Sequence, residues 1–398
     1  MSKIISNIIS NISNLLSNFI KWVRVGYNII YVLLLLVIVY LLNPILLCRP
    51  CLLQLIAFFS LYFIITVSLN FQYGFGGVPN FGMVLPVAAG AFVSGALAGR
   101  IAMWYYGVGE GLDFIDDNNT VTYQINAHLA NDPLGGIMIF VIILVIAIVI
   151  AFGLGYVASR PAIRLRADYL IIVLISMGEA IRIIGRNYPR LVGATMMVSV
   201  PDILLWLGDW RSTFYTLLFI VAALLLFAMV EKMTTSPYGR VLKAVRENEV
   251  TAETLGKDVI AIKTMTLVIG SGIAAVAGVL WSFYLKVVDA SGYLRLDFTF
   301  WPWLMMMIGG MGNNRGAVAG AGGVVVFRRL LIFYKHDIAG FFPFSVVWLE
   351  QLLLGIALLL FIMFRPQGLI PEEPTKLRGI NREEYEVIRN RVRSKGSD

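Results

Sequence analysis

About ten apolar runs, each long enough to cross a hydrocarbon core of about 30 Å, leave this chain few possible architectures. They lie at roughly 27–47, 52–69, 82–105, 135–157, 169–186, 213–231, 264–287, 298–312, 316–334 and 344–364. Inside a bilayer no water can bond the backbone, so such runs fold as helices that satisfy their own N–H and C=O groups. The expectation is an all-α integral membrane protein of about ten transmembrane helices. Composition agrees, with 59% apolar and only 14% charged residues, where soluble domains sit near half and a quarter. A formal charge of +8 would suggest a nucleic-acid partner for a soluble protein. Here the basic residues are concentrated in particular loops, which points to orientation in a bilayer and to no nucleic acid. The first long apolar run begins near Tyr27 and merges into a full-length span, so no cleavable signal peptide is evident.

Orientation follows from where the cations fall. No Lys or Arg occurs between Arg100 and Arg160, whereas Glu110, Asp113, Asp116, Asp117 and Asp132 do. Basic loops stay cytoplasmic, so the 106–134 loop is expected outside and Arg160, Arg164 and Arg166 inside. The same rule places inside a polar island at 232–263 and a tail carrying Lys376, Arg378, Arg382, Arg389, Arg391, Arg393 and Lys395. The ten spans satisfy this parity with both termini cytoplasmic, Arg49 outside being a minor exception. Gly309, Gly310, Gly312 and Gly316 interrupt 298–334, which reads either as two full spans or as a re-entrant hairpin. Three parts are expected. Residues 1–26 form an amphipathic interfacial helix on membrane lipid, with Ser6, Ser10, Ser13 and Ser17 as its polar stripe. Residues 27–370 form the membrane domain, and 371–398 a charged cytoplasmic tail.

The island at 232–263 carries Lys232, Arg240, Lys243, Arg246, Lys257 and Lys263 against Glu247, Glu249, Glu253 and Asp258. Ser236-Pro237 reads as an N-cap with proline in the first turn, and Gly256 as a C-terminal cap. Val241, Leu242, Val245 and Val250 form an apolar strip. Arg246 and Lys257 stand at helical spacing from Glu249 and Glu253. Two short amphipathic helices beneath the membrane are expected.

Other constellations are sparse. No Gly-x-x-x-x-Gly-Lys-Ser/Thr loop exists, so the chain does not hold ATP in a P-loop. Cys48 and Cys51 cannot complete a zinc site, and His128 and His336 stand far apart, so no metal or other cofactor is expected. Small residues recur every four positions at Ala91, Gly95, Gly99, at Gly270, Ala274, Gly278, and at Gly316, Gly320, a packing signal between membrane helices. Glu179, Arg182 and Arg186 share one face of their span, Glu179 lying roughly 15 Å along it. Two readings are open: a group facing an aqueous path, or a self-neutralising pair that fixes helix packing. Gln72, Gly74, Gly76, Gly77, Pro79, Asn80 and Gly82 break the helix before the third span, either as exposed backbone dipoles for a polar substrate or as a turn at a span end.

Several segments, in order, resemble one family. Arg246-Glu247-Asn248-Glu249-Val250-Thr251-Ala252-Glu253-Thr254-Leu255-Gly256 resembles the cytoplasmic loop of ABC-importer permeases, in particular those for branched-chain amino acids. Asn80-Phe81-Gly82 with Ala88-Ala89-Gly90-Ala91 resembles that family's third-span signature. Arg164-Leu165-Arg166-Ala167-Asp168-Tyr169-Leu170, continuing to Gly178-Glu179-Ala180-Ile181-Arg182, is similar to its most specific segment. Gly309-Gly310-Met311-Gly312 and Arg365-Pro366-Gln367-Gly368-Leu369 are similar to its closing motifs. The likeness runs from about residue 70 to 370.

The resemblance implies a permease-type helical bundle in the cell (inner or plasma) membrane, not itself an enzyme. It implies a second homologous permease, two separate ATPase subunits and an extracytoplasmic substrate-binding protein as partners. It also implies a coupling helix whose candidates are Arg246, Glu249, Ala252, Glu253, Leu255 and Gly256. Regions 80–95 and 176–195 would border the pathway, giving Asn80, Gly82, Gly90, Ser176, Glu179, Arg182 and Thr195. Leu191-Val192-Gly193-Ala194-Thr195-Met196-Met197 departs from the threonine-glycine-glycine stretch usual after Arg186. The substrate implied is therefore a hydrophobic amino acid or a related small polar metabolite such as urea or a short amide. The alternative is a stand-alone secondary transporter or channel that uses Glu179 and Arg182 for ion coupling.

Overall fold

The computed structural model describes residues 49–109, 111–163, 165, 167–333, scattered positions between 351 and 363, and 367–372. The expected interfacial helix at 1–26, the span at 27–47, Cys48, Arg164, Arg166, most of the span at 344–364 and the tail beyond Glu372 lie outside them. The chain divides into a unit of residues 1–54, described only at 49–54, and a unit of residues 55–398. The described part of the smaller unit is the start of helix α1, Arg49–Leu69.

In the larger unit, α1 passes without a break into a π-helical segment, Asn70–Phe75. Then come α2 (Val84–Tyr106), α3 (Asn118–Leu129), α4 (Pro133–Ala162) and α5 (Ala167–Asn187). They are followed by α6 (Arg211–Thr235), α7 (Pro237–Glu247), α8 (Glu249–Thr254), α9 (Val259–Leu285), α10 (Trp301–Gly309) and α11 (Asn314–Phe333). Val198–Ser199 (β1) and Val287–Val288 (β2) form a two-residue antiparallel ladder. The described protein is an α-helical membrane protein. Five of its helical segments are long and apolar enough to cross a bilayer: 50–75, 84–106, 133–161, 205–235 and 259–285.

The centre of the bundle is α9 packed on α2 and α4. Small residues bring the backbones of α2 and α9 together: a Cβ on Gly90 would strike the Ala275 carbonyl, and one on Gly278 the Val87 carbonyl. The third small-residue series closes a different contact, since Gly309 and Gly316 abut through backbone and Gly320 lies against the Met305 carbonyl. This contact folds α10 against α11. It also corrects the expected span at 298–312. The helical stretch 296–309 stops at Gly309, and is about 21 Å long where a full crossing needs about 30 Å. Gly310 (φ 117°) and Gly312 (φ 74°) take backbone conformations that side chains resist, and the chain turns back there. Asp297 and Arg328 pair at 3.2 Å across this hairpin.

At one end of the bundle the 106–134 connection is a folded cap. Val121, Ile125 and Leu129 of α3 are fully buried. Asn118 and Asn126 of α3 accept hydrogen bonds from the Ser199 and Asp202 N–H groups. Asp202, only 4% exposed, is the centre of this cap. It meets Lys286 (2.7 Å), Arg211 (3.2 Å) and the Tyr215 hydroxyl (2.8 Å). Burial alone would raise its pKa, but the Lys286 ammonium and the Tyr215 hydroxyl hold it below the usual carboxylate range.

Candidate functional site

At the opposite end from the α3 cap, α7 and α8 form a corner. Pro237 opens α7 as the sequence suggests, and Ser236 occupies the N-cap position. Its hydroxyl, however, donates to the Met233 carbonyl (2.6 Å) and closes the preceding helix. Asn248 leaves helical geometry (φ −156°, ψ 105°) and caps α8, its Oδ1 accepting from the Thr251 N–H at 3.0 Å. Gly256 ends α8 in the left-handed region (φ 75°). The Gly256 N–H reaches the Glu253 carbonyl and the Lys257 N–H the Ala252 carbonyl, which is a Schellman closure.

The break at Asn248 resets which residues point inward. Leu242 and Val245 of α7 are buried, and Val245 packs with Ala252 and Val259, joining α7, α8 and α9. Val250 does not continue that strip; it is 70% exposed, and Leu255 is 73% exposed. Glu253 and Gly256 are exposed beside them. The tip of the corner is therefore two apolar side chains and a carboxylate on a capped turn, with Ala252 buried beneath.

Ion pairs also differ from the helical spacing. Glu249 pairs with Lys263 of α9 (2.5 Å). Arg246 pairs with Glu372 (2.8 Å), which Lys243 also meets (2.8 Å), and donates to the Gly74 carbonyl at the end of the π-helical segment. The stem of Arg246 lies over Gly77, whose φ is 69°. Lys243 sits 5.4 Å from the Phe75 ring centroid. The corner is thus fastened directly to the broken segment after α1. Arg246→Ala is expected to cost about 2 kcal/mol, because it removes hydrogen bonds involving charged groups from a half-buried position. Thermal unfolding in detergent should show a melting temperature lowered by several degrees, with a smaller change for Glu372→Gln, which leaves Arg246 on Gly74.

The broken segment carries a buried polar network. Asn80 donates to Gln72 Oε1 (2.7 Å), accepts from the Gly82 N–H (2.8 Å), and its carbonyl accepts from Trp303 Nε1 (3.1 Å). Gln72 donates to Ser68 Oγ (3.1 Å), and Ser68 to the Gly270 carbonyl (2.7 Å). Asn70 accepts from the Gly312 N–H (3.0 Å) and donates to Asn314 Oδ1 (3.1 Å); Asn314 donates to Glu231 (2.6 Å) and Thr234 (3.0 Å). These bonds satisfy the groups that the helix break exposes, as buried polar atoms require.

The seven pathway candidates fall in three places. Asn80, Gly82 and Gly90 are interior: Gly82 lies against the Leu174 backbone of α5, and Gly90 against Ala275 of α9. Ser176, Glu179 and Arg182 lie on α5. Ser176 is exposed and bonds the Ile172 carbonyl (2.8 Å). Arg182 Nε donates to Glu179 Oε1 (2.9 Å). Thr195 is exposed in a separate loop between Ala194 (φ 55°) and Met197 (φ 53°). Sequence reasoning missed Arg295, whose Nε is 3.3 Å from Glu179 Oε2, and Glu372. Neither is within helical reach of its partner, so no local spacing signals either pairing.

The chain matches the model of the branched-chain amino acid transport system / permease component family over residues 51–363. It is 38% identical over 324 residues to the probable branched-chain amino acid transport permease protein LivM of Methanocaldococcus jannaschii, covering 81% of this chain and 93% of that protein. It is 27% identical to the high-affinity branched-chain amino acid transport system permease protein LivM of Escherichia coli, over 58% of each chain. It is 30% identical to LivH of the same organism, a permease protein of that transport system by name, over 44% of this chain and 59% of LivH. No solved structure matches.

Proposed function

This chain belongs to the branched-chain amino acid transport permease family, and from that premise we propose that it is one membrane subunit of an ATP-driven importer. The cargo is a branched-chain or other hydrophobic amino acid, taken from an extracytoplasmic binding protein. Two ATPase subunits on the cytoplasmic side drive it. A second, homologous permease completes the pathway, a reading supported by similarity to both LivM and LivH. Related small polar metabolites such as urea or short amides remain within the cargo class. Both termini are read as cytoplasmic, which puts the α7–α8 corner inside and the α3 cap outside.

The observation that carries this reading is the corner itself. Its core is closed by Val245, Ala252 and Val259, while Val250 and Leu255 stand exposed at the tip. A loop that served only to connect two spans would gain by turning those side chains in, at roughly 1.5–3 kcal/mol each. Presented outward, they suit a groove on a partner. The corner's tie to Gly74 gives movement at the tip a direct route to the broken segment.

The test is uptake of labelled L-leucine into proteoliposomes holding both permeases and the ATPases, with loaded binding protein outside. Uptake should require internal ATP and persist when proton and sodium gradients are collapsed. Gradient-dependent uptake by the chain alone would instead establish the secondary-transporter alternative.

A further inference from the structure

A second guanidinium reaches Glu179 from a distant part of the chain. Arg295 stands immediately before the π-helical turn Leu296–Phe300. It approaches Glu179 Oε2, while Arg182 holds Oε1. These three side chains, with Leu294, Leu296 and Phe300, line an open cavity of about 370 Å³. That is at the small end of ligand pockets, which span roughly 300–1,000 Å³.

The lining combines two chemistries. It holds a carboxylate and two guanidinium groups together with Leu294, Leu296 and Phe300, all three exposed. Arg295 is 45% exposed, and its two terminal nitrogens bond nothing among the described residues. A planar fork open beside an apolar wall is suited to take a carboxylate with two parallel bonds.

Resting on the importer reading above, we propose that this cavity is a transit site for a zwitterionic amino acid with an aliphatic side chain. The fork of Arg295 takes the α-carboxylate. The α-ammonium faces Glu179, the one acid among the described lining residues. The aliphatic chain lies against Leu294, Leu296 and Phe300. Both ends of a zwitterion thereby meet opposite charge, whereas a neutral amide or urea leaves the second guanidinium uncompensated. Phe300 also links the cavity to the broken segment. Its ring is 6.2 Å from Phe81, which stacks on Trp303 at 4.2 Å, and Trp303 bonds the Asn80 carbonyl.

The experiment uses the complete importer, both permeases with ATPases and binding protein, reconstituted with Arg295→Gln, Arg295→Lys or Phe300→Ala. It measures L-leucine and L-alanine uptake and the ATPase rate stimulated by loaded binding protein. Arg295→Gln should lower uptake of both amino acids by about tenfold, the loss expected when a charged hydrogen-bond partner is removed, while stimulated ATPase stays within about twofold. Arg295→Lys, which keeps the charge and the fold but not the fork, should recover only part of the uptake. Phe300→Ala should reduce leucine uptake more than alanine uptake. Unchanged uptake in Arg295→Gln, or equal losses for leucine and alanine in Phe300→Ala, would overturn the site while leaving the importer reading intact. If the wild-type assembly shows no ATP-dependent leucine uptake, the importer reading itself fails, and the site with it.

Discussion

Replacing Val250 and Leu255 together by aspartate is expected to strip the proposed ATPase subunits from the membrane complex and leave the permease folded. Both side chains are mostly exposed in the isolated chain, so their loss removes no internal packing. If they fill a groove on the ATPase, each contributes roughly 1.5–3 kcal/mol of apolar burial. Two such losses weaken association by about two to four orders of magnitude. Co-purification of the ATPase should fail and ATP-driven uptake should fall with it, while the melting temperature of the permease barely moves. Ala252→Asp is the contrast. It places a charge in the closed Val245–Val259 corner and should lower the melting temperature as well. Retention of the ATPase by the double variant would show that the corner is not its docking site. Glu253→Arg, at the same exposed tip, probes charge rather than apolar contact and should weaken association less.

The second large effect is expected at the helix crossing. Gly278→Leu should yield no monodisperse protein, because the added side chain points at the Val87 carbonyl and the Ala91 N–H of α2. Overpacking typically costs about 1–3 kcal/mol when side chains can shift. Here the obstruction is backbone of a central helix that also bears Gly90 against Ala275, so α2 and α9 must separate along their length. A cost above that range is a large fraction of the about 5–15 kcal/mol that stabilises a folded protein. Gly153→Leu provides the control. Gly153 lies on the outward side of α4 with open space where a Cβ would stand, and its variant should express and elute as wild type. Equal behaviour of the two variants in size-exclusion chromatography would refute the close-packing argument.

What was legible in the residues alone is what operates within a few positions along a helix or through bulk solvation. Apolar length dictated membrane helices, since a bilayer leaves the backbone no other partner. Gly256 announced the end of α8 because a left-handed C-terminal residue strongly favours glycine. The every-fourth small residues announced close helix contacts. Glycines at 309–316 marked an interruption, and the structure resolved it as a hairpin because 296–309 is too short to cross.

Tertiary structure alone decided which groups meet. Arg246 is spaced to face Glu249, yet it pairs with Glu372 and Glu249 pairs with Lys263. The break at Asn248 turns α8 away from the face of α7, so the helical spacing on which that expectation rests is interrupted. Glu179 and Arg182 stand one turn apart and their pairing could be read from spacing. Arg295 joins them only because the segment after β2 folds back onto α5. Local signals set helices and their ends through bonds reaching four or five residues. Charges, in contrast, take the nearest opposite partner in space, and that neighbour exists only after the helices have packed.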